Sequence, residues 1–205
     1  MIPDVERVVC LGAHPDDIEI AAAGTLLRLA AERPRATFQF LILTGDGERR
    51  REAEESARDL IPDRIAVEVG GFRDGLLPYE DPQGAKQWVA ERAGPADLVL
   101  SPNQTDRHQD HAFVAALGWQ LFRGATILEY EIPKWEGDRP DANLYVRLDD
   151  DVMTAKVDHM RKHFPSQQGK GWYEDRVFES VARLRGIECS ARWAEAFVAR
   201  KLTWA

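Results

Sequence analysis

Short apolar runs alternate with stretches of helical periodicity along the first two-thirds of the chain. Residues 7–13, Arg-Val-Val-Cys-Leu-Gly-Ala, run β-branched and aliphatic side chains together without polar alternation, the pattern of a strand buried on both faces. Residues 18–33 place Ile20, Leu26, Leu27, Leu29 and Ala30 at helical spacing and stop before Pro34, a helix breaker. The alternation continues with strands at 38–44, 64–69, 96–100 and about 125–132, and helices at 48–60, 83–93 and about 108–122 between them. The charged segment 48–60 reads as a solvent-facing helix, and Gly70-Gly71 as the turn closing the third strand. Five β/α steps of this kind predict an α/β fold, a three-layer, Rossmann-like, mostly parallel sheet with helices on both faces.

After Pro133 the pattern changes. Residues 135–141 form a polar loop, Asn143 to Leu148 an edge strand, and 150–163, 173–185 and 191–200 read as helices. Pro165, Gly169 and Gly171 mark 165–172 as a mobile flap. With no internal repeat or linker, residues 1–205 read as one domain: a β/α core over 1–132, then a C-terminal strand, helices and active-site flap over 133–205.

Composition narrows the function. The length of 205 residues suits one domain with its own core. The 27 basic and 35 acidic residues leave a formal charge of −8, which disfavours nucleic acid and anionic membrane as main partners. Cys10 and Cys189 are the only cysteines, so there is no disulfide framework and no cysteine zinc knuckle; Cys10, inside the first strand, reads as core. The start lacks the basic and apolar regions of a signal peptide, and the apolar segment 18–29 is too short to span a bilayer. The expectation is a cytoplasmic protein, with homo-oligomerisation left open.

In open α/β sheets ligands bind beyond the carboxyl ends of the strands, here after Ala13, Thr44 and Leu100. Three of the five histidines fall in two of these loops: His14 in Ala13-His-Pro-Asp-Asp17, and His108 and His111 in Asp106-Arg-His-Gln-Asp-His111. Adjacent carboxylates repel unless a cation or hydrogen-bond donors offset them, and a divalent metal does this well. His108 and His111, at i,i+3, share one face of a helical first turn. Two imidazoles and a carboxylate make a three-ligand set of the catalytic zinc type, and the same donors suit Fe²⁺ or Co²⁺. The plainer readings are an Asp helix cap for Asp16-Asp17 and a variant capping box for Asp106 and Gln109.

Ala13-His14-Pro15-Asp16-Asp17 and His108-Gln-Asp-His111 resemble the motifs of the LmbE-like family, which includes N-acetylglucosaminyl-phosphatidylinositol de-N-acetylases. Weaker similarities are Gly24-Thr25, Arg51-x-x-Glu54-x-Ser56-Ala57, Asp74-Gly75-x-Leu77, Ser166-Gln167 and Ala194-Glu195-Ala196-Phe197. The resemblance implies a zinc-dependent hydrolase that removes the acetyl group from an N-acetyl-aminosugar conjugate. It implies His14, Asp17 and His111 as metal ligands and Asp16 as general base. His108 would stabilise the oxyanion or protonate the leaving amine, with Asp110 orienting His108; Arg51 and Asp74 would contact sugar hydroxyls. Gln109 departs from the family's His-Pro-Asp-His at a non-ligand position. Phe164-Pro165-Ser166-Gln167 departs from His-x-Ser-Gln, which leaves His163 one position off. His159 and His163 read as surface residues of a helix, Trp119 and Phe122 as core, and Tyr130, Trp135 and Trp172 either as aromatic walls of a sugar subsite or as ordinary packing beneath loops. Two alternatives stand beside the deacetylase: an amidase cleaving a larger acyl group from a sugar or thiol conjugate, and a non-catalytic sugar-binding protein.

Overall fold

A computed structural model describes residues 5–202. Strands β1 (Arg7–Gly12), β2 (Thr37–Thr44), β3 (Ile65–Phe72), β4 (Leu98–Pro102) and β5 (Thr126–Tyr130) run parallel. With β6 (Leu144–Leu148) and β7 (Trp193–Ala199) they form a seven-stranded sheet ordered β3-β2-β1-β4-β5-β7-β6, β7 lying antiparallel to β5 and β6. The helices are α1 (Asp17–Glu32), α2 (Gly47–Leu60), α3 (Pro82–Arg92), α4 (Gln109–Leu121), α5 (Asp150–His163) and α6 (Asp175–Glu188), with a 3₁₀ turn at Pro165–Gln167.

The strands are buried on both faces because each sends alternate residues to a different core. Val8, Cys10, Phe40 and Leu100 pack with α1, α2 and α5, whereas Val9, Leu11, Leu41 and Val99 pack with α3 and α4. A fully buried aliphatic side chain contributes about 1.5–3 kcal/mol, so neither face of such a strand accepts a polar residue cheaply. The three-layer α/β arrangement anticipated from the alternation is the one observed, and Cys10 is completely buried.

Several local readings are corrected. Residues 191–200 are not a helix; Trp193–Ala199 is an inner strand of the sheet. The alanines of Trp-Ala-Glu-Ala-Phe-Val-Ala favour helix, but pairing on both edges and burial on both sides outweigh that preference. Gly70-Gly71 does not end β3, which continues to Phe72 across a register irregularity at Ile42 and Thr44. A Cβ at Gly70 would collide with the Leu43 carbonyl, so glycine here permits close strand approach. α2 is exposed on one side only, since Glu52, Ala53, Ser56, Ala57 and Leu60 face inward. His159 and His163 are both buried, because the face of α5 that carries them packs against its neighbours. At the start of segment 165–172, Ser166 donates through its N–H and Oγ to the buried Glu52 carboxylate, whereas residues 168–171 are exposed.

α1 is fastened to the C-terminal segment by a buried ion pair. Lys156 Nζ on α5 lies 2.5 Å from Glu195 Oε1 on β7 and also donates to the Ile20 carbonyl at 2.8 Å. Glu195 in turn accepts the backbone N–H of Gly24 and Thr25 at 3.0 and 2.6 Å. Gly24 permits the close approach, since a Cβ there would stand 2.6 Å from Leu148. Removing one partner leaves a buried charge uncompensated, a change that costs about 3–5 kcal/mol. Glu195→Ala is therefore expected to lower the urea unfolding free energy by that amount; a loss below about 1 kcal/mol would show that the pair does not hold α1 in place.

Candidate metal centre and active site

The sheet order reverses between β1 and β4, whose outgoing connections run to opposite sides, and a crevice opens at their carboxyl ends. The β1–α1 loop brings His14 and Asp16 there and the first residue of α1 brings Asp17. The β4–α4 loop brings His108, and the first turn of α4 brings Asp110 and His111. Asp74 enters after β3. A cavity of about 550 Å³ lies over them, open to solvent.

Three donor atoms converge at its floor. His14 Nδ1 and His111 Nε2 lie 3.1 Å apart, and Asp17 Oδ2 is 3.5 Å from the first and 3.4 Å from the second. A tetrahedral ion about 2.0 Å from each donor needs donor pairs about 3.3 Å apart, so this triangle fits a divalent metal. The outer nitrogens are committed to carboxylates. His111 Nδ1 meets Asp106 Oδ2 at 3.0 Å, and His14 Nε2 meets Asp74 Oδ1 at 3.0 Å and Asp110 Oδ2 at 3.3 Å. That arrangement puts each imidazole proton on the outer nitrogen and leaves the inner one bare for a metal. Without a cation the cluster draws protons instead: burial pulls His111 down, but Asp17 and Asp106 outweigh it and hold it at about 9. Asp17 is held well below the carboxylate range, the two histidines overcoming its burial. Asp17 Oδ2 also accepts the N–H of Ala13 and of His14, each at 2.9 Å, which ties the loop to the helix it precedes.

Asp16 has a different environment. Its Oδ1 accepts from Arg49 Nη2 at 2.7 Å, while Oδ2 is buried and has no hydrogen-bond partner among the described residues. Although Asp16 is the N-cap of α1, its side chain makes no capping bond. Burial raises its pKa against the opposing pull of Arg49. The N-cap of α4 is His108 rather than Asp106: its Nδ1 accepts the Asp110 N–H at 3.3 Å, which places the imidazole proton on Nε2. Burial and the neighbouring His111 and His14 keep His108 below its ordinary value, so at neutral pH it is an uncharged N–H donor.

Two expected contacts differ from the geometry. Asp110 does not orient His108 through its carboxylate, which accepts the N–H of Gly75 and Leu77 at 2.6 and 3.1 Å and faces His14. Arg51 is exposed and lies outside the cavity, whereas Arg49 lines it. Two residues round a helix is about 200°, so only one of the pair can face inward. The Arg-x-x-Glu pair turned to the site is Arg49 and Glu52. Trp135, 77% exposed, and Trp172 line the cavity, but Tyr130 is fully buried with its hydroxyl on the Leu11 carbonyl. Phe122 is core, and Trp119 is half-buried, donating to Glu129.

Residues 9–122 match the PIG-L family, described as GlcNAc-PI de-N-acetylase. The chain belongs to this family. Among relatives of the PIG-L domain is the uncharacterized deacetylase YaiS of Escherichia coli, 26% identical over 169 residues, covering 76% of this chain and 89% of YaiS. The N,N'-diacetylchitobiose deacetylase of Pyrococcus horikoshii superposes with a TM-score of 0.73 at 21% identity, over 95% of this chain and 83% of that one. The 4-carboxy-2-hydroxymuconate hydratase of Pseudomonas putida also superposes with a TM-score of 0.73, at 14% identity over 98% of both chains. A likeness at that level establishes the fold, and the chemistry rests on the site.

Arg49, Glu52 and Asp106 support the candidate site without having been singled out in sequence. A helical wheel anchored on Ala53 and Ala57 would have turned Arg49 and Glu52 inward; for Asp106, five residues before His111, no local pattern separates an orienting carboxylate from a turn residue. Partners that orient metal-binding histidines contribute about 10- to 100-fold to affinity. If the three-donor floor holds a divalent metal, Asp106→Ala should weaken binding of the probe ion Zn²⁺ by that factor in competition with a chromophoric chelator, and unchanged affinity would remove Asp106 from the site's support.

Proposed function

We propose that this PIG-L protein hydrolyses the N-acetyl group of an N-acetyl-aminosugar conjugate, using a divalent metal held by His14, Asp17 and His111. Zn²⁺ suits the donors best, with Fe²⁺ and Co²⁺ as substitutes. The observation that carries the reading is the unpartnered, buried Asp16 Oδ2 beside the three-donor floor. A binding protein has no use for an unsatisfied base there, and leaving a polar atom so costs about 1–3 kcal/mol.

When bound, such a metal acidifies water and polarises a carbonyl. The side chains supply the rest. Asp16 Oδ2 takes the proton of the attacking water, and its raised pKa makes it a better base than an exposed aspartate. Arg49, bonded to Oδ1, leaves only Oδ2 for that proton. His108 Nε2–H, fixed by the bond from the Asp110 N–H to Nδ1, donates to the carbonyl oxygen as it gains charge. The proton held by Asp16 then passes to the leaving nitrogen, the C–N bond breaks, and acetate and a free amine result. Asp74, bonded to His14 at the cavity wall, offers its second oxygen to a sugar hydroxyl, with Trp135 and Trp172 as apolar walls.

Three measurements test this. Asp16→Asn should lower kcat by at least about 10²-fold with metal content intact; loss of metal instead would make Asp16 a ligand. In an acetate-release assay, an N-acetylglucosamine conjugate substituted at C1 should be preferred over acetyl-lysine peptide, by up to about 10⁴-fold for a site that pairs with hydroxyls. Preference for the peptide would overturn the sugar assignment. Arg51→Ala should leave turnover within about twofold, as surface changes usually do, whereas Arg49→Ala should lower it at least about tenfold by freeing Asp16 Oδ1; the reverse ranking would restore the role to Arg51.

A further inference from the structure

A second group of metal-type donors lies outside the cavity, where α2 meets α5. Asp59 Oδ2, near the end of α2, is 2.8 Å from His163 Nε2 and 3.8 Å from His159 Nδ1, and one donor atom from each of the three residues falls within 4.8 Å of the others. None of the three lines the active-site cavity. His159 and His163 stand at i,i+4 on one helix face, the spacing at which a helix offers two imidazoles to one metal. Both rings are buried, with centroids 4.5 Å apart.

The orientation of His159 is set from behind. Its Nε2 lies 2.9 Å from Ser56 Oγ, and Ser56 Oγ donates its single proton to Glu19 Oε1 at 2.6 Å. Ser56 Oγ and the Asp59 carboxylate thus face opposite nitrogens of His159, and in the tautomer protonated at Nε2 the Nδ1 lone pair points toward Asp59. Burial, with His163 beside it, holds His159 down at about 4, so this neutral form persists at physiological pH. A bare nitrogen facing a carboxylate oxygen is unfavourable until a cation lies between them, and a histidine fixed through its other nitrogen is the usual support of a metal ligand. Lys162 Nζ, 2.9 Å from Asp59 Oδ2, belongs to a side chain 63% exposed, which can rotate into solvent when a metal enters.

We propose that Asp59, His159 and His163 form a second divalent-metal site. Two imidazoles and one carboxylate select borderline first-row ions such as Zn²⁺, Co²⁺ or Ni²⁺ over Ca²⁺ and Mg²⁺. An ion there ties α2 to α5, and the Ser56–Glu19 hydrogen bond links it to the first turn of α1, from which Asp17 projects.

The test is equilibrium dialysis of the untagged full chain against Zn²⁺, with metal quantified per chain for wild type, His163→Ala, His159→Ala and His111→Ala. Wild type should exceed His163→Ala and His159→Ala by one equivalent each, and this difference holds whether or not the His14–Asp17–His111 centre fills. His111→Ala should keep the equivalent that His163→Ala loses. Ser56→Ala should keep the equivalent with affinity weakened about 10- to 100-fold. Equal zinc content in wild type and His163→Ala, both folded by circular dichroism, would overturn the proposal, as would binding of Ca²⁺ in place of Zn²⁺ at this site.

Discussion

The Asp17 carboxylate is the constraint on which the rest of the site depends. It is buried, receives two backbone N–H groups of the loop before it and faces two imidazole nitrogens within 3.5 Å. A lone carboxylate in such a place is costly to ionise, and its burial is sustained because positive charge is delivered to it from two separate loops. Asp106, Asp110 and Asp74 then fix the outer faces of the two histidines. The site is thus a nested set of charges, each stabilised by the next one outward. Its position follows from topology: only at the reversal between β1 and β4 can the loop after one strand and the helix start after another point at a common centre.

The neighbouring Asp16 shows how one backbone step separates two chemistries. Asp17 is saturated with donors, whereas Asp16 is held at one oxygen by Arg49 and left open at the other. Both are equally buried, so the difference comes from partners and not from solvent access. The C-terminal segment makes this arrangement rigid. Glu195 and Lys156 grip the middle of α1, and Glu52 holds Ser166 at the cavity edge, so residues far apart in sequence fix the helices that carry the pair.

Much of this was legible before folding was considered. The β/α alternation follows from which side chains avoid water, and a both-faced core demands the largely apolar strands seen at β1, β2 and β4. The clustering of His14, Asp16, Asp17, His108 and His111 at strand ends was readable because a parallel sheet sends all such ends to one edge. Where the reading failed, the deciding term was non-local. Trp193–Ala199 has the composition of a helix and becomes a strand because β5 and β6 offer two open edges. His159 and His163 look like surface positions beside Arg161 and Lys162, and are buried because α2 and α1 cover that face of α5.

By itself the sequence determined the fold class, the edge of the sheet that carries the chemistry and the residue types available there, since these follow from local periodicity and the hydrophobic effect. Tertiary structure decided the partners: that Arg49 and not Arg51 meets Asp16, that the Asp110 carboxylate supports His14 while only its backbone N–H reaches His108, and that Asp106 orients His111. Those choices turn on helix rotation and loop approach over a few ångströms. Electrostatic and hydrogen-bond energies change steeply over such distances, whereas the hydrophobic pattern that sets the fold scarcely registers them.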